Sequence, residues 1–261
     1  MDFGIAGKTA LVLGASGGLG RAIALALAAE GVRVAVAARG QAGLDETAAR
    51  IRATGGEAFT VVWDVADRGV IAANVAAVEQ ALGPIDILVN NTGGPPPTTA
   101  AGQDPALWLE KFNAMILSVI AITDAVLPGM RSRKWGRVIT STSAGVVAPI
   151  ANLGISNTLR AALHGWSKTL AREVAAEGVT SNIIVPGLIA TDRITFLATE
   201  RAKREGISIE AVAAANTAQI PLGRLGDPAE YGAVAAFLAS VPAAYVTGTV
   251  VRVDGGLIAS V

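Results

Sequence analysis

The chain has 261 residues, of which 52% are hydrophobic and 16% charged, a balance that excludes a disordered or solvating polypeptide and leaves material for one well-buried domain. Basic and acidic residues number 21 each. They cancel and nowhere cluster, so the footprint of a nucleic-acid or anionic-membrane binder is missing.

The N-terminal MDFGIAGK has no apolar core, so no secretory signal is expected there. Thr9 opens the first of several short runs rich in Val and Ile: 9–13, 32–37, 59–63, 85–89, 137–142, 180–185 and 249–253. Apolar runs without polar alternation suit strands buried on both faces. Ala-rich stretches of helical spacing separate them. Leu44, Ala48 and Ile51, for instance, share one helical face that stops at Gly55 and Gly56. Alternation of this kind predicts an α/β fold: one domain, 1–261, built as a Rossmann-type doubly wound parallel sheet in three layers, α/β/α.

Straight after the first strand comes GASGGLGRAIALALA, with Gly14, Gly18 and Gly20 leading into an Ala/Leu helix. Glycine lets the backbone turn tightly against a pyrophosphate, and the helix N-terminus offers it free N–H groups and a positive dipole end. The second strand ends VAVAARG, placing Ala38 where an NAD site would carry an acid for the adenosine ribose. Arg39 follows. A guanidinium pairs with a 2′-phosphate through two parallel bonds, so NADP(H) is favoured over NAD(H).

Pro95 to Pro97 follow the fourth strand and stiffen what should be a pocket rim. Two uncharged stretches, 138–159 and 231–251, are long enough to suggest membrane spans, but polar residues, Gly145, Pro149 and Gly154 break the first, and Pro242 and Gly248 the second. Strand, turn and helix pieces are expected instead. Helices over 106–130 and 156–176 carry more apolar surface than one sheet face needs. The segment 188–219, containing TERAKREG, reads either as a substrate lid or as a solvated surface helix, and its apolar content suggests a small, weakly polar substrate. The four tryptophans are too scattered for a base-stacking platform and read as core or interface anchors. No cysteine and a single histidine, His164, exclude a thiol nucleophile, a disulfide framework and a multi-histidine metal site, and a cytoplasmic location is expected.

These motifs resemble the short-chain dehydrogenase/reductase family, close to its 3-oxoacyl-ACP-reductase-like members, over nearly the whole chain. GASGGLG is similar to the family's TGxxxGxG with Leu13 in place of Thr, and Asp64-Val65 resembles the adenine-contacting pair. VNNTGG (89–94) resembles NNAG, Pro186-Gly187 with Thr191 resembles PGxxxT, and VDGG (253–256) matches the last-strand signature. The resemblance implies NADP(H) contacts from Gly14, Ser16, Gly18, Leu19, Gly20, Arg39, Asp64, Val65, Asn91, Gly93, Arg160, Pro186, Gly187, Ile189 and Thr191. It also implies a second copy of the chain against the two apolar helices, as a homodimer or homotetramer.

The same resemblance exposes an altered centre. The family uses Asn, Ser, Tyr and Lys: Tyr protonates the carbonyl oxygen, Lys lowers the Tyr pKa and holds the ribose, Ser orients substrate and Asn supports a relay. SNTLRAALHGWSKTLA aligns without a gap to the helix that carries Tyr and Lys, which puts Ser156 and Arg160 at those positions. Ser143 falls at the Ser position and Met115 at the Asn position. Tyr titrates near ~10 and a cation can pull it down, whereas an aliphatic hydroxyl is a far weaker acid. Simple Tyr-type acid catalysis is therefore not expected, and Tyr231 and Tyr245 lie in C-terminal segments that read as structural. His164, four residues beyond Arg160, reads as packing, with a proton relay as the alternative.

Three functions stay open on these residues. The first is hydride transfer from NADPH to a small carbonyl-like substrate through a Ser143, Ser156, Arg160 centre, with water or substrate supplying the proton. The second is non-redox chemistry like that of halohydrin dehalogenases, although those relatives keep the Tyr and lose the glycine loop. The third is a catalytically silent NADP(H)-binding or oligomer-forming protein.

Overall fold

Successive side chains of the first strand enter opposite cores: Ala10 and Val12 join one apolar cluster, Leu11 and Leu13 another. The second strand alternates likewise, Val34 and Val36 against Ala35 and Ala37. Period-two alternation between two dry faces makes a central sheet covered on both sides. The computed structural model describes residues 2–260. Its strands are β1 (Thr9–Leu13), β2 (Arg33–Ala38), β3 (Ala58–Val62), β4 (Ile87–Asn90), β5 (Gly136–Ser141), β6 (Val179–Pro186) and β7 (Val250–Val253). They form one parallel sheet in the order β3-β2-β1-β4-β5-β6-β7. Every run expected from the sequence became a strand, with ends moved by a residue or two.

On the face holding Val12, Val34 and Val36 lie α1 (Gly18–Ala29), α2 (Gln41–Ala53) and α9 (Pro228–Ala239), supplying Ile23 and Leu27, Leu44 and Ile51, and Tyr231 and Ala235. The other face carries α3 (Ile71–Leu82), α5 (Ser118–Ser132) and α6 (Gly154–Val174), through Val75 and Val78, Ile122 and Val126, and Leu170 and Val174. α4 (Pro105–Phe112) starts from an Asp104 side-chain cap and runs through a π turn, Asn113–Leu117, into α5. By composition alone the run Pro105–Ser132 is long and apolar enough to cross a membrane. Here its Met115, Val119, Ile122 and Met130 pack inside the core clusters.

The two uncharged stretches divide as expected. The first holds the end of β5, a short 3-10 turn and the start of α6; the second holds α9, a loop and the start of β7. The segment 188–219 is helical, as α7 (Asp192–Glu205) and α8 (Ile209–Ala218). Connections from β1 and β4 lead to opposite sides of the sheet, so a crevice opens beyond the carboxyl ends of these two neighbours. That crevice holds the site.

Candidate active site

Gly14, directly after β1, turns the chain with φ +63°, and Gly18 opens α1 with φ +52°, both in the left-handed region that favours glycine. A Cβ at Gly14 would lie 2.6 Å from the Asn91 carbonyl oxygen, so the turn closes against the end of β4. The Asn91 side chain reinforces it, donating to the Leu13 carbonyl at 3.3 Å. Gly17 caps α1 without any side-chain bond to the first-turn amides, and at Gly17 and Gly93 an added Cβ would meet open space. A cradle of bare backbone ending in an uncapped helix N-terminus fits a dinucleotide pyrophosphate. Gly20 differs from expectation: it does not line the crevice, and its missing side chain instead lets α1 approach the Gly14 carbonyl.

The crevice is a cavity of about 940 Å³. Ser16, Gly18, Leu19, Arg39, Asp64 and Val65 wall one end, and Arg39 is exposed there without a bonded partner among the described residues. Gly14, Asn91, Gly93, Pro186, Gly187, Ile189 and Thr191 continue the wall. Ser143, Ser156 and Arg160 line the same space, so the structure brings the three candidate catalytic residues together with the cradle. Pro95, Pro96 and Pro97 line the cavity as well.

Ser156, Arg160 and His164 recur every fourth residue along α6 and share one side of it. The helix start is fixed from outside. Thr98 bridges Leu153, the Gly154 N–H donates to the Thr98 carbonyl at 2.8 Å, and a Cβ at Gly154 would lie 2.5 Å from the Ala100 nitrogen. Ser156 is 5% exposed, and its hydroxyl has no protein partner among the described residues. Ser143 follows β5; its Oγ accepts from the Gly145 N–H at 3.2 Å, which leaves the O–H free to donate.

Arg160 is 6% exposed. Its guanidinium donates to the Thr92 carbonyl at 2.9 Å and the Ser141 carbonyl at 3.3 Å. Burial lowers its pKa to about 10, with Arg193 pushing the same way, so it remains a cation at neutral pH. Its charge has no carboxylate partner within 4.0 Å among the described residues.

Met115, at the family's Asn position, sits in the π turn and lines the cavity; π turns are rare and gather at functional sites. His164 Nε2 lies 3.1 Å from the Thr142 hydroxyl, and burial lowers its pKa. Thr142 itself lines the cavity. Trp63 is buried beside the adenine end, while Trp108 and Trp166 pack with Leu159 and Leu163, in keeping with anchors. Sequence reasoning missed Lys111, Arg193, Arg201 and Arg204, all cavity-lining. Only the charged TERAKREG hinted at the last two.

Sheet order and glycine cradle define a dinucleotide-binding Rossmann fold. Residues 14–258 match the family model described as enoyl-(acyl carrier protein) reductase. The 3-oxoacyl-(acyl-carrier-protein) reductase FabG of Pseudomonas aeruginosa is 38% identical over 253 residues, covering 96% of this chain and 97% of that enzyme. L-sorbose reductase of Gluconobacter frateurii, solved with NADPH and L-sorbose, superposes with a TM-score of 0.94 at 33% identity over the whole of both chains. Actinorhodin polyketide ketoreductase with NADPH gives 0.92 at 34% identity, covering 96% of this chain and 97% of that one. The chain belongs to the short-chain dehydrogenase/reductase family, among the homologues of the FabG-like reductases.

Proposed function

We propose that this protein is an NADP(H)-dependent oxidoreductase that reduces a small carbonyl-like substrate at Ser143, Ser156 and Arg160. One observation carries the proposal: the dinucleotide cradle and these three side chains open into a single cavity. The NADPH-bound relatives and Arg39 at the adenine end support NADP(H) as cofactor. Bound there, NADPH supplies the hydride.

The chain's own residues supply orientation and charge. Ser143 and Ser156 donate to the substrate oxygen through two unspent hydroxyls. Arg160 stabilises the negative charge that gathers on that oxygen, and a guanidinium titrating at about 10 acts as a fixed cation instead of a proton donor. The proton comes from water or from the substrate. The intact glycine cradle weighs against dehalogenase-like chemistry.

Residues 188–219 serve as the lid, a reading supported by Arg193, Leu197, Arg201 and Arg204 along the cavity side of α7 and by Val212 on α8. A dimer or tetramer is the expected assembly, supported by Leu109, 61% exposed on α4, and light scattering tests it.

Titration with NADPH and then NADH, followed by nicotinamide fluorescence, tests the cofactor: binding in the micromolar range for NADPH and much weaker for NADH is expected. A single turnover with deuterated NADPH then tests the chemistry. Substrate that never acquires the label overturns hydride transfer.

A further inference from the structure

Of the cations that line the cavity, Arg39 stands exposed at the end proposed for the cofactor, Lys111 pairs with Glu110 at 2.6 Å, and Arg201 and Arg204 pair with Glu205 at 3.0 and 3.2 Å. Arg160 and Arg193 are different. Neither has a carboxylate within 4.0 Å among the described residues; each donates only to backbone carbonyls, and the Arg193 guanidinium also lies 5.5 Å from the centre of the Phe196 ring. Arg160, rising from α6, donates to Thr92; Arg193, descending from α7, donates to Pro95 at 2.8 Å. The two acceptors are three residues apart in the loop after β4, so at most about 11 Å of chain separates them. Gly94 lies between, where a Cβ would come 2.9 Å from Arg193 Nη2. Two unneutralised guanidiniums therefore converge on one short loop that lines the cavity. They repel each other, and Arg193 helps to lower the Arg160 pKa.

Like charges held together in a buried place are unfavourable unless an anion completes the site. The acids lining the cavity do not complete it. Asp64 accepts from the Ala66 N–H at 3.0 Å at the adenine end, and Asp192 lies beyond 4.0 Å of either guanidinium. Each guanidinium has five N–H donors, and the carbonyl bonds leave several unspent on both. Planar forks of this kind match a carboxylate or phosphate through paired bonds.

We infer that the substrate is an acid whose oxyanion, a carboxylate or a phosphate, is clamped between Arg160 and Arg193 while its reducible group faces Ser143 and Ser156. In this inference the expectation of a weakly polar substrate, drawn from the apolar content of 188–219, is replaced by one based on Arg193 inside that very segment. The placement of the reducible group rests on the proposed reductase reading; the anion clamp does not.

Calorimetric titration of the full chain, with and without NADPH, separates the two. The probes are benzoylformate, its uncharged methyl ester, and phenyl phosphate. Either anion should bind at least about tenfold tighter than the ester, and the tighter of the two assigns the group as carboxylate or phosphate. Arg193→Gln, a half-buried position, should erase that preference and leave NADPH affinity within about twofold; Arg160→Met is the second variant. Equal binding of ester and acid, no anion binding in the millimolar range, or a preference that survives both variants overturns the clamp. Loss of NADPH affinity in Arg193→Gln with the anion preference intact also overturns it, assigning Arg193 to the cofactor. Anion preference in a protein that binds no NADPH supports the clamp and overturns the reductase reading alone.

Discussion

The Tyr231 hydroxyl lies 2.8 Å from Ser141 Oγ and donates to the Ile184 carbonyl at 3.2 Å. This phenol is fully buried on the α9 side of the sheet, does not line the cavity, and is held above its usual pKa by burial. Tyr245 is fully exposed. Neither phenol lines the cavity of the proposed centre. Tyr231→Phe is expected to cost about 1–2 kcal/mol of stability and to change kcat by less than about twofold. Denaturant melts and steady-state rates check it, and a kcat collapse with normal NADPH binding would reveal a displaced acid.

Arg39 stands exposed at the adenine end of the cavity. Arg39→Ala should weaken NADPH binding by at least about tenfold and leave NADH unchanged, because only NADPH carries the 2′-phosphate. Parallel losses for both nucleotides would remove Arg39 from cofactor choice.

Ser156 and Arg160 should separate in their effects. Ser156→Ala is expected to lower kcat by about 10-fold to 100-fold, and Arg160→Met by about 100-fold to 1,000-fold. Stability should move the other way at Arg160. An unpaired buried cation is costly, so Met should hold or raise Tm even as turnover falls. In the unmodified protein the cation is lost as pH rises through about 10, and kcat/KM should fall there. A flat profile across that range would disconnect Arg160 from the oxyanion.

His164 is the only histidine, and burial lowers its pKa below the ordinary 6.5. Between the folded and unfolded pKa values the unfolded chain binds more protons, so stability falls as pH drops from about 6.5 towards the depressed value. His164→Gln keeps a polar group near Thr142 and removes this titration. Its Tm should therefore drop less than that of the parent between pH 7 and 5; identical slopes would show that His164 is not the group responsible.

Strand positions were legible because buried parallel strands write themselves as unbroken apolar runs: all of 9–13 is solvent-free in the fold. The glycine turn was legible for a related reason, since backbone geometry admits few residues there. Gly20 is ambiguous in sequence, because a glycine kept for helix approach and one kept for a ligand look alike there. Ser143, Ser156 and Arg160 were made candidates through the family resemblance, whose gap-free register runs along one helix and its neighbouring strand. Arg193 was not, since its partner Pro95 lies 98 residues away and no local pattern announces such a contact. The segment 188–219 was open to a helical reading, but its mixed composition hid the division into two helices, Asp192–Glu205 and Ile209–Ala218.

The π turn Asn113–Leu117 holds one residue more than an α-helix needs, and its wider turn lets α4 and α5 keep the phase of one continuous helix. Deleting Ala114 would therefore let a regular helix run through without rotating α4 against α5. Trp108 and Phe112 would keep their packing beside Leu159, while the bulge that carries Met115 along the cavity would flatten. A single-codon deletion here would be absorbed by the core and felt by the site.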